Sequence, residues 1–405
     1  MLSDLPRDLA EEVLIRLPMT SNRAVRSVCK KWSTLSKARR FTMQHIAQAA
    51  AAREFMVVMV ISHRVYLMSL NLEKGVEPSV NRQGKLISLD DSDRLDICQV
   101  YYCDGLLFCL PFDETRFVVW NPYSGQNRWF KLLPRRREMS SYKYAIGYEE
   151  SKSGRSYKVL RCGDCSSGYV EHELYYINSK DATVPITTNP DWLIECTARG
   201  VSLKGNTYWF AQQETPPDLD DVNIAEVPDF LICFDFTTES FGPHLALPFH
   251  SLYDDTVTLS SVRDEQLAVL HQQQDTFCME IWITTKIEPQ AVSWSKLCFL
   301  AVDMKPLIGY QFEPDSASFF VDEFLWFLSE FLWLSRVVDL FEYPRQSEMD
   351  TVAYIIGEDG YFKKEHFGGS SDMLFRPRLY PFVPSLAQIK LGGKRKRKRK
   401  RLQDV

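Results

Sequence analysis

DGLLFCLPFDETRFVVWNPYSGQNRWFKLLP, residues 104–134, carries the pattern that most constrains the architecture of this chain. A small turn is followed by an apolar run, a polar loop, an aromatic run, the turn at 121–125 and a further aromatic segment. Short aromatic and β-branched runs bounded by Gly, Pro, Asn and Asp are typical of strands, because those turn residues accept the backbone angles of a tight reversal. The stretch therefore predicts consecutive antiparallel strands.

The same order of turn, apolar strand, loop and aromatic strand recurs further along the chain. It is seen in KGNTYWFAQ with DFLICFDFTTESFGPHLALP, and in DEQLAVLHQ with MEIWITTKIEPQAVSWSKL. The pattern predicts a mainly β region over about residues 54–390. The predicted strand pairs are 55–60 with 64–70, 105–110 with 116–120, 157–162 with 173–177, 205–211 with 230–236, and 266–271 with 280–285.

The spacing of these pairs indicates a repeat. With Trp120, Ile177, Asp235 and Trp282 as markers, the steps are 57, 58 and 47 residues. Propeller blades recur every 40 to 50 residues or so, and radial repetition leaves only short sheet edges unpaired. A β-propeller is the predicted fold of this region. The alternative is a β-sandwich whose hairpins resemble one another by chance.

The N-terminal segment has a different, helical periodicity. LPRDLAEEVLIRLP, residues 5–18, places apolar residues at helical spacing between two prolines, and a second amphipathic stripe continues to residue 35. Segments of about 40 residues seldom form a stable core alone, so these helices need further apolar cover. The segment therefore predicts a binding module. The alternative is a helical hairpin that packs on its own downstream domain.

In LPRDLAEEVLIRLP and RSVCKKW, the N-terminal segment resembles the F-box, through which substrate receptors join cullin-type ubiquitin ligases by a Skp-family adaptor. Asn22 departs from the family pattern, which has Leu at this position, and the lost apolar contact predicts weaker adaptor binding. The resemblance implies that the adaptor-binding residues are Leu5, Pro6, Leu9, Val13, Leu14, Leu17, Pro18, Val28, Cys29 and Trp32.

The β region resembles the type 1 F-box-associated, kelch-like domain of plant F-box proteins over most of residues 95–385. CDGLLFC, VVWNPYSGQNRW, GVSLKGNTYWFA, LICFDFTTESFGP and YIIGEDGYF carry this likeness. It implies a non-enzymatic substrate receptor of a Skp–cullin–F-box ubiquitin ligase, without a cofactor, that captures an unidentified target protein. The expected class is α+β multidomain: an F-box at 1–45, a connecting helix and first β segment at 46–94, a propeller-like domain at 95–390 and a disordered basic tail at 391–405.

The tail contains eight consecutive basic residues, and without them the net charge of −5 becomes −13 (−5 minus 8). Such a run cannot bury apolar surface and is expected to be solvated. It predicts capture by an import receptor and a nuclear location, with the cytoplasm as a second location. Nucleic-acid contact is the rival reading, but no stacking aromatics lie between the charges. The residues are Lys394, Arg395, Lys396, Arg397, Lys398, Arg399, Lys400 and Arg401.

Composition indicates a soluble intracellular protein of more than one domain, with no membrane partner. The chain has 405 residues, of which 45% are hydrophobic and 25% charged, and no signal-peptide pattern opens it. Its ten cysteines are therefore expected to be thiols. One segment, residues 324–335 (FLWFLSEFLWLS), is unusually apolar and is expected to be a distorted or inserted blade segment. A partner-binding patch and local misfolding are its alternatives.

The sequence gives little support for catalysis or metal binding. Cys162 and Cys165 have the spacing of a metal knuckle, but no second pair of ligands follows within the usual reach. The acidic loops at 90–93 and 218–221 lack the Gly and Glu of a calcium loop. Two other function classes stay open: a propeller enzyme or lectin, and a nuclear nucleic-acid-associated protein whose F-box no longer binds the adaptor.

Overall fold

A computed structural model of the chain shows a short helical unit followed by a β-propeller. Within the described residues, three helices with defined bounds precede the first strand: α1 Arg7–Ile15, α2 Lys30–Leu35 and α3 Arg39–Ala51. The structure describes residues 5–17, 25, 27–36, 38–51, 54–61, 63–71, 79–85, 96–135, 139–152, 154–165, 169–179, 186–195, 198–214, 227–252, 254–296, 298–309, 311–312, 317–321, 325–332, 349–357, 362–370, 378–385 and 387–389.

The rest of the described chain is built from strands that pair in antiparallel ladders. In chain order the strands are β1 Glu54–Ile61, β2 Arg64–Asn71, β3 Ser79–Lys85, β4 Ile97–Cys103, β5 Leu106–Pro111, β6 Arg116–Asn121, β7 Gln126–Lys131, β8 Met139–Ser151, β9 Gly154–Cys165, β10 Val170–Tyr176, β11 Ile186–Thr188, β12 Trp192–Leu193, β13 Val201–Leu203, β14 Asn206–Gln213, β15 Asp229–Asp235, β16 Ser240–Phe241, β17 Leu245–Ala246, β18 Thr256–Val262, β19 Gln266–Gln272, β20 Cys278–Glu288, β21 Ala291–Trp294, β22 Leu300–Asp303, β23 Ser318–Val321, β24 Leu325–Leu332, β25 Met349–Gly357, β26 Phe362–Ser370 and β27 Arg378–Pro381.

The strands form six sheets arranged radially. Sheets 2 to 6 contain β4–β7, β8–β11, β12–β17, β18–β22 and β23–β26, whereas sheet 1 has the order β27-β1-β2-β3. The inner strands β27, β4, β8, β13, β18 and β23 contact one another in turn and close a ring. This is the arrangement of a β-propeller, in which each blade presents one edge strand to the central axis.

Sheet 1 corrects the predicted start of the propeller. The sequence analysis placed residues 46–94 outside that domain, but Val57 to Val60 of β1 pair with β27 near the other end of the chain. Sheet 1 is therefore a blade, completed by a strand from the C-terminal region, and the propeller begins at β1 rather than at residue 95. A four-residue strand with one Pro gives no sequence signal strong enough to show this pairing.

The predicted strand pairs and repeat are confirmed. All five predicted pairs form ladders: β1 with β2, β5 with β6, β9 with β10, β14 with β15, and β19 with β20. Of the marker residues, Trp120, Asp235 and Trp282 lie in the third strand of their blades, and Ile177 directly follows the third strand of sheet 3. The repeat in the sequence is thus the repeat of the blades.

Among the described residues, five apolar clusters lie between consecutive sheets and form the core. Residues of β5 show why its sequence is a continuous apolar run: Leu106, Phe108 and Leu110 pack toward sheet 3, while Leu107 and Cys109 pack toward sheet 1. Both faces of the strand are buried, so alternation between polar and apolar residues is lost. Burial of both faces stabilises each blade against its two neighbours.

Several predictions can be placed only in part. Within the segment 324–335, residues 325–332 form strand β24, which pairs with β23 and β25 as a regular blade strand rather than a distorted insertion. The remainder of that segment lies outside the described residues. The tail at 391–405, with its basic run, and Asn22 also lie outside the described residues.

Candidate functional site

The three helices form a small core of their own. Ala10 and Leu14, one turn apart on α1, are 0% and 1% exposed, and they pack with Trp32, Leu35 and Phe41. The spacing of four residues places both α1 side chains on one helix face. The helical unit thus buries one face of α1 internally and leaves the other available.

The other face of α1 is apolar and exposed. Leu9 and Val13, also one turn apart, are 50% and 39% exposed, and Val28 before α2 is 56% exposed. Isolated exposed apolar residues are ordinary on protein surfaces, but a Leu and a Val stacked at i, i+4 on one helix make a continuous apolar ridge. We call Leu9, Val13 and Val28 the exposed apolar set.

The structure describes nine of the ten residues predicted to bind the adaptor, and these fall into three groups. Pro6 is exposed together with the exposed apolar set, and Pro18 lies outside the described residues. Leu5, Leu17 and Cys29 are partly buried against the helical core. Leu14 and Trp32 are buried within that core, at 1% and 5% exposure. The two buried residues support the surface from beneath, because a partner that leaves the helices folded does not reach them.

Helix α3 joins the helical unit to the propeller. His45, 2% exposed, lies between the two: its Nε2 is 2.7 Å from the Leu17 carbonyl oxygen and its Nδ1 is 3.4 Å from the Tyr123 hydroxyl. Ile46, the next residue, packs on the cluster between sheets 1 and 2. These contacts set the position of the helices relative to the propeller.

Sequence reasoning did not identify His45 as a linking residue. A lone His in a helix has no distinctive pattern, and its partner Tyr123 lies in a turn 78 positions away. Only the three-dimensional contact gives it a role. The turn NPYSG was recognised as a turn, but the sequence does not show which neighbour its Tyr contacts.

The propeller has two ends, because antiparallel strands place successive connections at alternate ends of a blade. The connection between β6 and β7 contains Tyr123 and therefore lies at the end that contacts the helices, which we call the helix end. Connections after β5, β7, β17 and β22 lie at the opposite end, which we call the distal end. Four apolar residues there are well exposed: Phe112 (63%), Leu133 (40%), Leu252 (45%) and Leu307 (37%).

The described residues do not show the chemistry of a catalytic or metal centre. Burial raises the pKa of the Cys109 and Cys162 thiols to about 12, so both stay protonated and unreactive at neutral pH. Lys143 and Asp164 form an ion pair beside Cys162. No group of three potential metal ligands occurs within the described ranges. The described helices include none with the length and apolarity to cross a membrane.

Comparison with known families decides the identity of the chain. An F-box domain matches residues 2–44, and an F-box associated beta propeller domain matches residues 56–389. The chain belongs to the F-box proteins that carry an F-box-associated β-propeller. The F-box thus comprises the helical unit up to the linking helix, and the propeller match begins within β1, in agreement with the corrected domain boundary.

Relatives match this F-box protein along nearly all of its length. The Arabidopsis thaliana F-box/kelch-repeat protein At3g16740 is 50% identical over 403 residues, covering 96% of this chain and 99% of the relative. The F-box protein At3g17320 of the same plant is 45% identical over 424 residues, covering 96% and 99%. Among solved structures, a chain of a nidogen/laminin complex has 9% identity and a TM-score of 0.40, covering 80% of this chain and 97% of its own, a score too low to support an argument.

Proposed function

We propose that this F-box protein is the substrate-recognition subunit of a Skp–cullin–F-box E3 ubiquitin ligase. The observation that carries the proposal is the exposed apolar set, with Leu9 and Val13 as a ridge on α1 above a buried helical core. A partner that covers such a ridge binds favourably, because burial of each Leu or Val side chain contributes about 1.5–3 kcal/mol of stabilisation. The F-box family assignment identifies the expected partner as a Skp-type adaptor.

The distal end of the propeller is the proposed target-binding surface. It carries exposed Phe112, Leu133, Leu252 and Leu307 on connections that face away from the F-box. Exposed apolar residues on loops of a rigid scaffold are typical of protein-binding surfaces. This placement keeps target and adaptor on opposite ends, so that both bind at once.

The proposed contribution to ubiquitin transfer is proximity rather than chemistry. Holding a target and a charged conjugating enzyme on one scaffold raises their effective concentration without a catalytic residue in the receptor. The contacts of His45 with Leu17 and Tyr123 support this role, since they fix the F-box relative to the propeller. A fixed geometry limits which lysines of the target come within reach.

Calorimetric titration of the full chain with a Skp-family adaptor tests the proposal. Leu9→Asp places a charge in the proposed interface and leaves the helical core intact, and we expect it to weaken adaptor binding about tenfold or more. Leu252→Asp is the matched control, because that Leu has similar exposure (45% against 50%) but lies at the distal end. Equal adaptor affinity of wild type, Leu9→Asp and Val13→Asp would refute the assigned surface.

A nuclear location is a second part of the proposal, supported by the basic run at 394–401. Replacing those eight residues with Gln removes the charge that import receptors recognise, so we expect a fluorescent fusion of the full chain to leave the nucleus. Grafting residues 394–401 onto an unrelated fluorescent protein is the converse test. An unchanged distribution in both experiments contradicts import by the tail. Salt-dependent nucleic-acid binding that the Gln variant loses would favour the rival use of the tail.

A further inference from the structure

A small cavity lies on the axis of the propeller. Its lining comes from the inner strands of five sheets and the segment before β13, and its volume is about 60 Å³. A cavity of this size holds about four water-sized groups, since each needs roughly 10–15 Å³ of such volume. Polar side chains in the lining are Tyr102, Arg199, Ser202, Thr258, Ser260, Ser261, Ser318 and Tyr380.

Arg199 brings a positive charge to this cavity without a matching negative one. Its Nη1 donates a hydrogen bond of 2.5 Å to the Tyr380 hydroxyl, and no carboxylate within the described part of the chain pairs with it. Asp264 lies beside this lining and accepts a 2.9 Å hydrogen bond from the Tyr102 hydroxyl, so it is paired with a lining residue rather than with Arg199. A half-buried cation without a counter-charge is costly, and an anion in contact with it recovers that cost.

Hydroxyl groups line the cavity together with Arg199. Ser260 is 3% exposed, and its Oγ has no hydrogen-bond partner among the described residues. Ser202, in contrast, already donates to the Ile146 carbonyl oxygen at 2.6 Å. A buried hydroxyl without a partner is unfavourable, and such groups mark sites that a ligand or water satisfies.

We propose that the axial cavity binds a small oxyanion, a carboxylate or phosphate group, through Arg199 and the neighbouring hydroxyls. The geometry combines one uncompensated guanidinium with neutral donors, which is the donor set that an oxyanion requires. The anion comes from one of two sources: a free small ion, or the acidic side chain of a target. The second source rests on the proposed function, whereas the first is independent of it.

Thermal unfolding of the full chain with inorganic phosphate tests the site. A ligand that binds the folded state raises the unfolding temperature with its concentration, so phosphate is added at constant ionic strength with sodium chloride as reference. We expect Arg199→Gln to raise the dissociation constant for phosphate by about tenfold, the loss typical of a charge-assisted hydrogen bond. Arg116→Gln is the matched control, because that Arg stacks on Trp129 in the outer part of sheet 2.

A second variant at the same position tests whether the effect of Arg199→Gln is a folding defect. Arg199→Lys keeps the charge and is expected to retain part of the phosphate-dependent stabilisation, whereas Arg199→Gln is expected to lose it. Equal phosphate dependence in wild type, Arg199→Gln and Arg199→Lys overturns the proposal, as does the absence of any phosphate or peptide effect on the wild type.

The two sources of the anion are distinguished with a short blocked peptide that carries a central Glu, and with the same peptide carrying Gln. Competition of the Glu peptide with phosphate, absent for the Gln peptide, supports capture of an acidic target side chain. Binding of phosphate alone supports a free ion. Adaptor titration is run on the same preparations, so that failure of the F-box proposal is seen separately from failure of the axial site.

Discussion

Asn121→Asp is expected to destabilise the propeller strongly, because this buried side chain anchors the segment that follows β27. Asn121 is 0% exposed, and its Nδ2 donates to the carbonyl oxygens of Ser385 at 3.1 Å and Ala387 at 2.9 Å. Its Oδ1 accepts from the Ser124 N–H at 2.8 Å. The substitution keeps the acceptor but replaces the donor with a second oxygen.

The expected loss follows from these contacts. The carbonyl oxygens of Ser385 and Ala387, both partly buried residues, lose their donor and face a carboxylate oxygen at the same positions, and each unsatisfied group costs up to about 1–3 kcal/mol. The sum is about 2–6 kcal/mol in the free energy of unfolding. The ionised form of the new carboxyl group adds repulsion from the two carbonyl dipoles. This places the substitution among the most damaging single changes in the domain.

Urea unfolding followed by Trp fluorescence measures this loss, and limited proteolysis around residues 385–389 reports whether the anchored segment is released. Asn127→Asp is the control, since Asn127 is exposed on β7 of the same hairpin. Wild-type stability and unchanged protection from protease in Asn121→Asp would show that the segment is held by other contacts.

Two further predictions concern pH and backbone geometry. Burial lowers the pKa of His172 below its usual 6.5, so just below pH 6.5 this His is protonated in the unfolded chain but not in the folded chain. The free energy of unfolding should therefore fall as pH drops below about 6.5, by up to about 1.4 kcal/mol per pH unit. The fall should end once the pH reaches the pKa of His172 in the folded chain. In urea titrations at several pH values His172→Phe should remove this component, and an unchanged slope would contradict it. Gly205→Ala should cost about 2 kcal/mol or more in thermal and urea unfolding, because Gly205 has φ +87° and a Cβ would lie 2.7 Å from the Tyr148 carbonyl oxygen. Gly154→Ala, whose Cβ meets nothing within 4 Å, should cost less, and an equal cost would refute the steric argument.

The blades could be predicted from sequence because their signals are local. A central pair such as β5 with β6 is an apolar run, a short connection and an aromatic run within about 20 residues, and tight turns fix the register of such hairpins. Asp104 and Gly105, the turn between β4 and β5, show this chemistry: both have positive φ, at 49° and 73°, as a two-residue hairpin turn requires. The number of residues between successive pairs then gives the length of the blade repeat.

Long-range features could not be predicted in the same way. The pairing of β1 with β27 joins segments more than 300 residues apart. The sequence of neither segment indicates which strand it pairs with. The sequence also does not show which face of α1 is exposed, because Leu9 and Leu14 are both apolar and helical periodicity alone assigns them to one broad stripe. Packing of α1 on Trp32, Leu35 and Phe41 decides that Leu14 faces inward.

The closure of sheet 1 by β27 has a consequence for synthesis on the ribosome. Helix α3 ends at Ala51 and β27 ends at Pro381, so 330 residues (381 minus 51) separate completion of the helices from completion of the ring. At about 5–20 residues per second, this interval lasts roughly 17–66 seconds. During it, the β1 edge at Val57, Val58 and Val60 lacks the strand that covers it, and an uncovered apolar edge is a template for aggregation. The nascent chain therefore needs protection at β1 long after the helices of the F-box have been made.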